Sequence, residues 1–363
     1  MKLFCVALLS CLFITTSQAQ VYFTISGTVK SATNGQPMAA ASVFAQNTTF
    51  GTATDEAGNF KLQLPAGGYD LVVTFTGYRT ELKRITTADA NEKIIFELNE
   101  KEKELAAVAV VATNEVADGL EKYGSFFKSA FLGKLAHDSA CTIQNPSALH
   151  FFFSKKKNRL KVTATEPLVI KNQWLGYNIT YNIDSFTHEY NTDVSIYSGY
   201  PLFEAMQGDS SQQQIWETNR RIAYKGSLLH FMRSVYNKSL AADGFEIQFI
   251  TNNQGKENSI VLKDFYGALQ YEKDDSTQTV EILPNQNLVA VLYKAEKPLP
   301  AYIAENPNEP KDFRLSFLNF KPKESIIIEQ NGFFYESNDV TISGYYTWDK
   351  VGNQVPYDYL YKP

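Results

Sequence analysis

Apolar and polar positions alternate through the first part of this chain, and turn residues break the alternation at short intervals. The pattern predicts strands at 22–29, 41–45, 60–64, 69–75 and 94–98. Asn34-Gly35 is a turn signal, because both residues tolerate positive φ. Asp55 and Gly58 sit in a second turn, where the Asp55 carboxylate can accept from backbone amides ahead of it. Pro65-Ala66-Gly67-Gly68 makes a third turn, and Gly77-Tyr78 closes the run, with Tyr78 as a corner anchor. Short strands with frequent turns describe a small antiparallel β-sandwich over residues 21–99.

Beyond it the pattern changes twice. Glu100-Lys101-Glu102-Lys103-Glu104 is a mixed-charge run that marks a boundary, and residues 100–134 read as a linker and helix. The apolar run 105–112 fits either strand or helix. Residues 116–132 read as helix, because Leu120, Tyr123, Phe127, Ala130 and Phe131 share one face, with Gly133 as its stop. Period-two alternation then dominates residues 135–363. Tyr177, Ile179, Tyr181 and Ile183 alternate with Asn178, Thr180, Asn182 and Asp184, and Ile326-Ile327-Ile328 reads as fully buried. A helical stretch from 212 to 240 interrupts the strands, with Gly226 placed to kink or split it. The expected fold is mostly β with some α: an N-terminal sandwich, then a larger antiparallel β domain carrying one long or split helix.

The ordered set of turn glycines, Pro65 and Gly77-Tyr78 resembles the carboxypeptidase regulatory-like domain, a transthyretin-like sandwich. The resemblance covers about one fifth of the chain. Such modules stand behind the catalytic domain of some metallocarboxypeptidases and in front of the plug of TonB-dependent outer-membrane transporters. It therefore implies a cell-envelope setting, peripheral to the outer membrane of a Gram-negative cell, and no catalysis by the module itself. The remainder is similar to exported Gram-negative proteins of the same two-part layout.

The first nineteen residues strengthen that setting. Lys2, a short apolar run and Ser17-Gln18-Ala19 read as a signal peptide with its cleavage site. Leu8-Leu9-Ser10-Cys11 loosely resembles a lipobox, so lipidation at Cys11 is the second reading. No later stretch is apolar for long enough to form a membrane-spanning helix. A small strand-type barrel fits poorly with the basic helical stretch and the Pro-rich segment 297–310. Two of the three cysteines lie in the leader, which leaves Cys141 without an intramolecular partner. The formal charge of −5 argues against a general nucleic-acid binder.

Candidate chemistry is sparse. The four histidines make no His-x-x-x-His pair, and the metallocarboxypeptidase His-x-x-Glu is absent. No Gly-x-Ser-x-Gly elbow or phosphate-binding glycine loop appears. No cofactor or metal site is expected. Asp55 and Asn59 offer too few oxygens for calcium, and Cys141 reads as inert core. Glu166, Asp184 and Glu204 are the carboxylates with aromatic surroundings. Two ligand-binding features remain. Arg220 and Arg221 lead a basic stretch in which Lys225, Arg233 and Lys238 also stand against Glu217 alone, a candidate anion site. Trp174, Tyr177, Tyr197, Tyr200, Trp216 and Trp348 are candidates for stacking on sugars; aromatics make up 13% of the chain, which a β-rich fold also explains. The expected function is a non-catalytic envelope interaction protein with an envelope protein or glycan as partner. The alternatives are a carbohydrate-binding protein and, third, a glycan hydrolase without a motif.

Overall fold

The computed structural model describes residues 21–90, 92–101, 115–134, 140–253, 256–335 and 337–361. The leader, Cys11, the apolar run 105–112 and His137 lie outside the described residues.

Seven strands form the first unit: β1 (Tyr22–Ser31), β2 (Ser42–Ala45), β3 (Gly51–Ala53), β4 (Asn59–Pro65), β5 (Tyr69–Thr74), β6 (Glu81–Ile85) and β7 (Lys93–Leu98). They make two sheets, in the orders β4-β1-β7 and β3-β2-β5-β6. Period two puts Phe23, Ile25, Phe60, Leu62 and Leu64 of one sheet against Val43, Leu71 and Val73 of the other. Each such burial stabilises by about 1.5–3 kcal/mol. β3 and β6 are absent from the sequence expectation. Both are edge strands, and in β6 only Ile85 is buried, so no alternation announces it.

The remainder has two cores, where the pattern suggested one body. The first gathers α1 (Gly119–Leu132) with β8 (Cys141–Ile143), β9 (Leu149–Ser154), β10 (Arg159–Ala164), β11 (Leu168–Asn172), β12 (Tyr177–Glu189) and β13 (Val194–Ala205). Helix α1 starts three residues later than its apolar face suggests, and Gly133 follows its end at φ +90°. The long hairpin of β12 and β13 forms the spine. One edge of β12 is shared: its first half pairs with β11 and its last residues pair with β10.

Two helices follow, α2 (Ser210–Tyr224) and α3 (Leu228–Tyr236). The stretch splits at Gly226, whose φ of +71° favours glycine and whose backbone lies against the Tyr293 ring. Helix α3 covers a second core built on β14 (Phe245–Asn253), β15 (Lys256–Val261), α4 (Phe265–Ala268), β16 (Glu272–Asp274), β17 (Thr279–Ile282), β18 (Leu288–Tyr293), α5 (Pro300–Glu305), β19 (Arg314–Phe320), β20 (Ile326–Ile328) and β21 (Val340–Gly344). These strands form sheets ordered β15-β14-β18-β19-β21 and β16-β17-β20. Ile327 is only half-buried, because β20 is an edge strand. The last segment, 351–361, crosses back: Val351, Val355 and Tyr359 pack into the first core. Arg233 on α3 holds it there by donating to the carbonyls of Tyr357 (2.7 Å) and Tyr359 (2.9 Å).

The sandwich docks on this body through two turns. Thr48 bridges Leu202 in a short parallel contact, and the Tyr357 amide donates to the Asn47 carbonyl at 2.7 Å. On the other side Asn331 Nδ2 donates to the Gly68 carbonyl at 3.0 Å, and Arg84 lies 4.2 Å over the Tyr335 ring. Among the described residues no helix is long and apolar enough to cross a membrane.

Candidate functional site

The spine strand carries a notch. Thr165, Glu166 and Pro167 separate β10 from β11, since Pro167 lacks a ladder donor. The pairing of β12 therefore jumps from Tyr181↔Leu168 to Phe186↔Val162, and residues 182–185 have no strand partner on that side. On the opposite side the β13 ladder shifts register between Ile183 and Ser185, a bulge at the same place. The sandwich turn at 74–80 stands over this notch. Together they enclose a cleft of about 700 Å³, lined by Thr76, Gly77, Tyr78, Arg79 and Lys101 on one wall and Glu166, Asn182, Asp184 and Tyr200 on the other.

Local chemistry fixes these walls. Gly77 has φ +85°, and Tyr78 packs edge-on against Phe75 at 5.5 Å. The Tyr78 backbone bridges Glu100 and so ties the turn to the end of the sandwich. Glu166 accepts from Asn145 Nδ2 at 2.9 Å, and Asp184 accepts from the Ser198 hydroxyl at 3.0 Å. Burial raises the Tyr200 phenol above its ordinary pKa, and the charges of Asp184 and Asp70 push in the same direction. Hydroxyls, amides, two phenols and charges of both signs make this a surface for a polar, extended ligand.

The other predicted residues lie elsewhere. Trp174, Tyr177, Trp216 and Arg220 do come together, but as a clamp between α2 and the β11–β12 turn. Trp216 is buried and donates its indole N–H to the Gln173 carbonyl at 2.9 Å. Arg220 donates to the carbonyls of Leu175 (2.7 Å) and Gly176 (3.0 Å), and its guanidinium lies 4.1 Å over the buried Tyr177 ring. Trp216 and Tyr177 are buried and closed to stacking, while Trp174 is half-buried; Arg220 is not a free anion donor, because the turn carbonyls take its N–H groups. Arg221 is exposed, one residue round the helix. Lys225 pairs with Glu296 at 3.5 Å and Lys238 lies 4.3 Å over Tyr271, so most of the basic stretch is used inside the fold. Tyr197 packs against the first core. Trp348 is half-buried, edge-on to Tyr302 at 5.5 Å, and its indole N–H has no partner. Asp55 accepts from the amides of Ala57 (2.9 Å) and Asn59 (2.8 Å), closing the turn at Gly58. Those bonds hold the exposed Asp55 carboxyl below its usual pKa.

Burial pushes the Cys141 thiol up to about 12, so it stays protonated at neutral pH. Among the described residues no group of three or more His, Cys, Asp or Glu is arranged to hold a metal ion. The sequence reading also missed a histidine contact. His188 Nδ1 lies 3.0 Å from the Ser195 hydroxyl, and Nε2 lies 3.8 Å from Asp193. Cross-strand register creates the first contact, which no sequence spacing reveals. The Asp193 distance exceeds a hydrogen bond, and its carboxylate is 95% exposed, so it does not orient the ring as a catalytic partner would.

Two sheets, a Gly77-Tyr78 corner and a separate core are the frame on which a comparison with known families decides. Residues 25–110 match the family model of the CarboxypepD_reg-like domain. This domain supplies the sandwich wall of the cleft through its turn at 74–80. No curated protein matches the chain. Among solved structures, a 9R-lipoxygenase from Cyanothece PCC8801 is 9% identical with a TM-score of 0.15, over 59% of this chain. The alignment spans 48% of that enzyme, and a likeness this weak carries no argument.

Proposed function

We propose that this chain is a non-catalytic binding protein of the cell envelope, exported by its first nineteen residues, whose cleft holds an extended segment of a partner envelope protein. The notch carries the reading. Residues 182–185 leave one edge of β12 unpaired, and an extended peptide can satisfy such an edge by backbone hydrogen bonds. The CarboxypepD_reg-like domain roofs that edge with Tyr78, Arg79 and Lys101, so the domain acts as a binding wall. Export agrees with the cell-envelope setting that the resemblance of residues 25–110 to this domain implies.

The test is recovery of a partner from envelope extracts by the full chain, compared with Tyr78→Ala, Asp184→Lys and a chain lacking residues 20–99. Specific recovery that both point variants lose supports the reading. Recovery that survives all three changes sinks it. Sustained turnover of a glycan panel by the purified protein would overthrow the non-catalytic part. A carbohydrate ligand in the same cleft is the second reading, favoured by the half-buried Tyr78 and Tyr200 among hydroxyl groups. Saturable glycan binding that Tyr200→Ala abolishes, with no protein partner recovered, would select it.

A further inference from the structure

A smaller cavity of about 180 Å³ lies where the sandwich, the helices and the returning C-terminal segment meet. That is room for several waters or one small molecule. The walls are mainly apolar, with Ala223, Leu228, Leu229, Met232, Phe334 and Val355 among them. Polar side chains break this lining, and three of them, Tyr346, Asp349 and Asn353, are incompletely bonded; the buried Asn353 Oδ1 has no partner among the described residues. Tyr346 is 7% exposed, and its phenol oxygen has no hydrogen-bond partner among the described residues. Asp349 lines the same space and is half-buried; among the described residues its carboxyl makes no hydrogen bond or ion pair, and the charges of Arg314 and Lys350 act on it from a distance.

A carboxyl and a phenol without partners, beside a hollow with apolar walls, form an incomplete set. A half-buried carboxylate without a bonded partner has lost part of its hydration, and a cation with N–H donors makes good that loss. A neutral alcohol satisfies one acceptor and leaves the carboxylate charge met only at a distance by Arg314 and Lys350; the carboxylate repels an anion. The remaining wall favours a short alkyl body. We propose that this cavity is a binding site for a small primary ammonium compound with a short apolar body, its charged nitrogen on Asp349 and Tyr346. Asn47 of the sandwich, Ala223 of α2 and Val355 of the last segment all face the ligand, so its binding braces the three parts together. The site is separate from the cleft and does not depend on what the cleft holds.

The probe is n-butylammonium added to the full chain, with 1-butanol and butyrate as controls of equal length, read by calorimetry and by the melting temperature. Saturable binding of n-butylammonium at least tenfold tighter than 1-butanol, with none of butyrate, is expected. Asp349→Asn should weaken the ammonium at least tenfold and leave 1-butanol unchanged, while the unliganded variant melts no lower than the parent. Ala223→Leu fills the cavity without touching the polar pair and should remove binding of both. Equal binding of ammonium and alcohol overturns the proposal. So does an unchanged ammonium affinity in Asp349→Asn, or an absence of binding with ordered water alone in the cavity.

Discussion

Replacing Asp349 by Asn should stabilise this protein, and more so as the pH rises. Burial is the main cause that drives the Asp349 carboxyl up to about 7 from an ordinary 3.8, and the charges of Arg314 and Lys350 offset only part of it. Between these two values the folded chain keeps a proton that the unfolded chain has released. The stability from that proton is fully present below pH 3.8 and is lost as the pH rises through 7. The gap of roughly three pH units, at about 1.36 kcal/mol each, sets a ceiling of about 4 kcal/mol. Part of the residue still reaches solvent through the cavity, so about 2 kcal/mol is the working figure. Asn keeps the shape and carries no charge. The variant should therefore match the parent near pH 4 and exceed it by about 2–4 kcal/mol at pH 8. Paired urea titrations at pH 4, 6 and 8, without added amine, measure the difference. Burial also raises Asp70, Glu329 and Asp358, but these act in both proteins and cancel. A difference that stays flat with pH, or a parent more stable at pH 8, would show that Asp349 has a charged partner in solution and refute the reasoning.

Three other changes probe the frame. A Cβ at Gly68 would meet Tyr335 Oη at 2.1 Å and Glu329 Oε1 at 2.6 Å, so Gly68→Val should cost about 1–3 kcal/mol and loosen the sandwich from the body; faster proteolysis between residues 100 and 115 checks it. Arg220→Ala removes two carbonyl hydrogen bonds and the Tyr177 contact, and should lower stability by about 2–4 kcal/mol with no selective loss of anion binding; urea titration and a phosphate titration read the two effects. Native Cys141 should resist thiol reagents at pH 8 and react at once in denaturant, because burial keeps it protonated; fast labelling of the native chain would contradict the geometry.

Much of the sandwich was legible in the sequence. A strand with one buried face must place apolar side chains at every second position, and its reversals need residues that tolerate turns, so β1, β4 and the Gly77 corner announce themselves. Gly226 likewise announced the break between α2 and α3. The ligand-binding residues were less legible. Arg220 and Trp216 have the composition of a binding surface, yet their partners are backbone carbonyls of the turn between β11 and β12, more than forty positions away in the chain. Residue type states what a side chain can bond; only the packing states what already bonds it.

The sequence by itself determined where strands alternate, where helices present an apolar face and where the chain must turn, because those are properties of neighbouring residues. Tertiary structure alone decided that the body has two cores, that residues 351–361 return to the first of them, and that an unpaired stretch of β12 faces the sandwich turn. It also decided that Asp349 and Tyr346 share a hollow without partners. The physical reason is that desolvation and hydrogen-bond completion depend on atoms brought together from distant parts of the chain, and a local pattern carries no record of them.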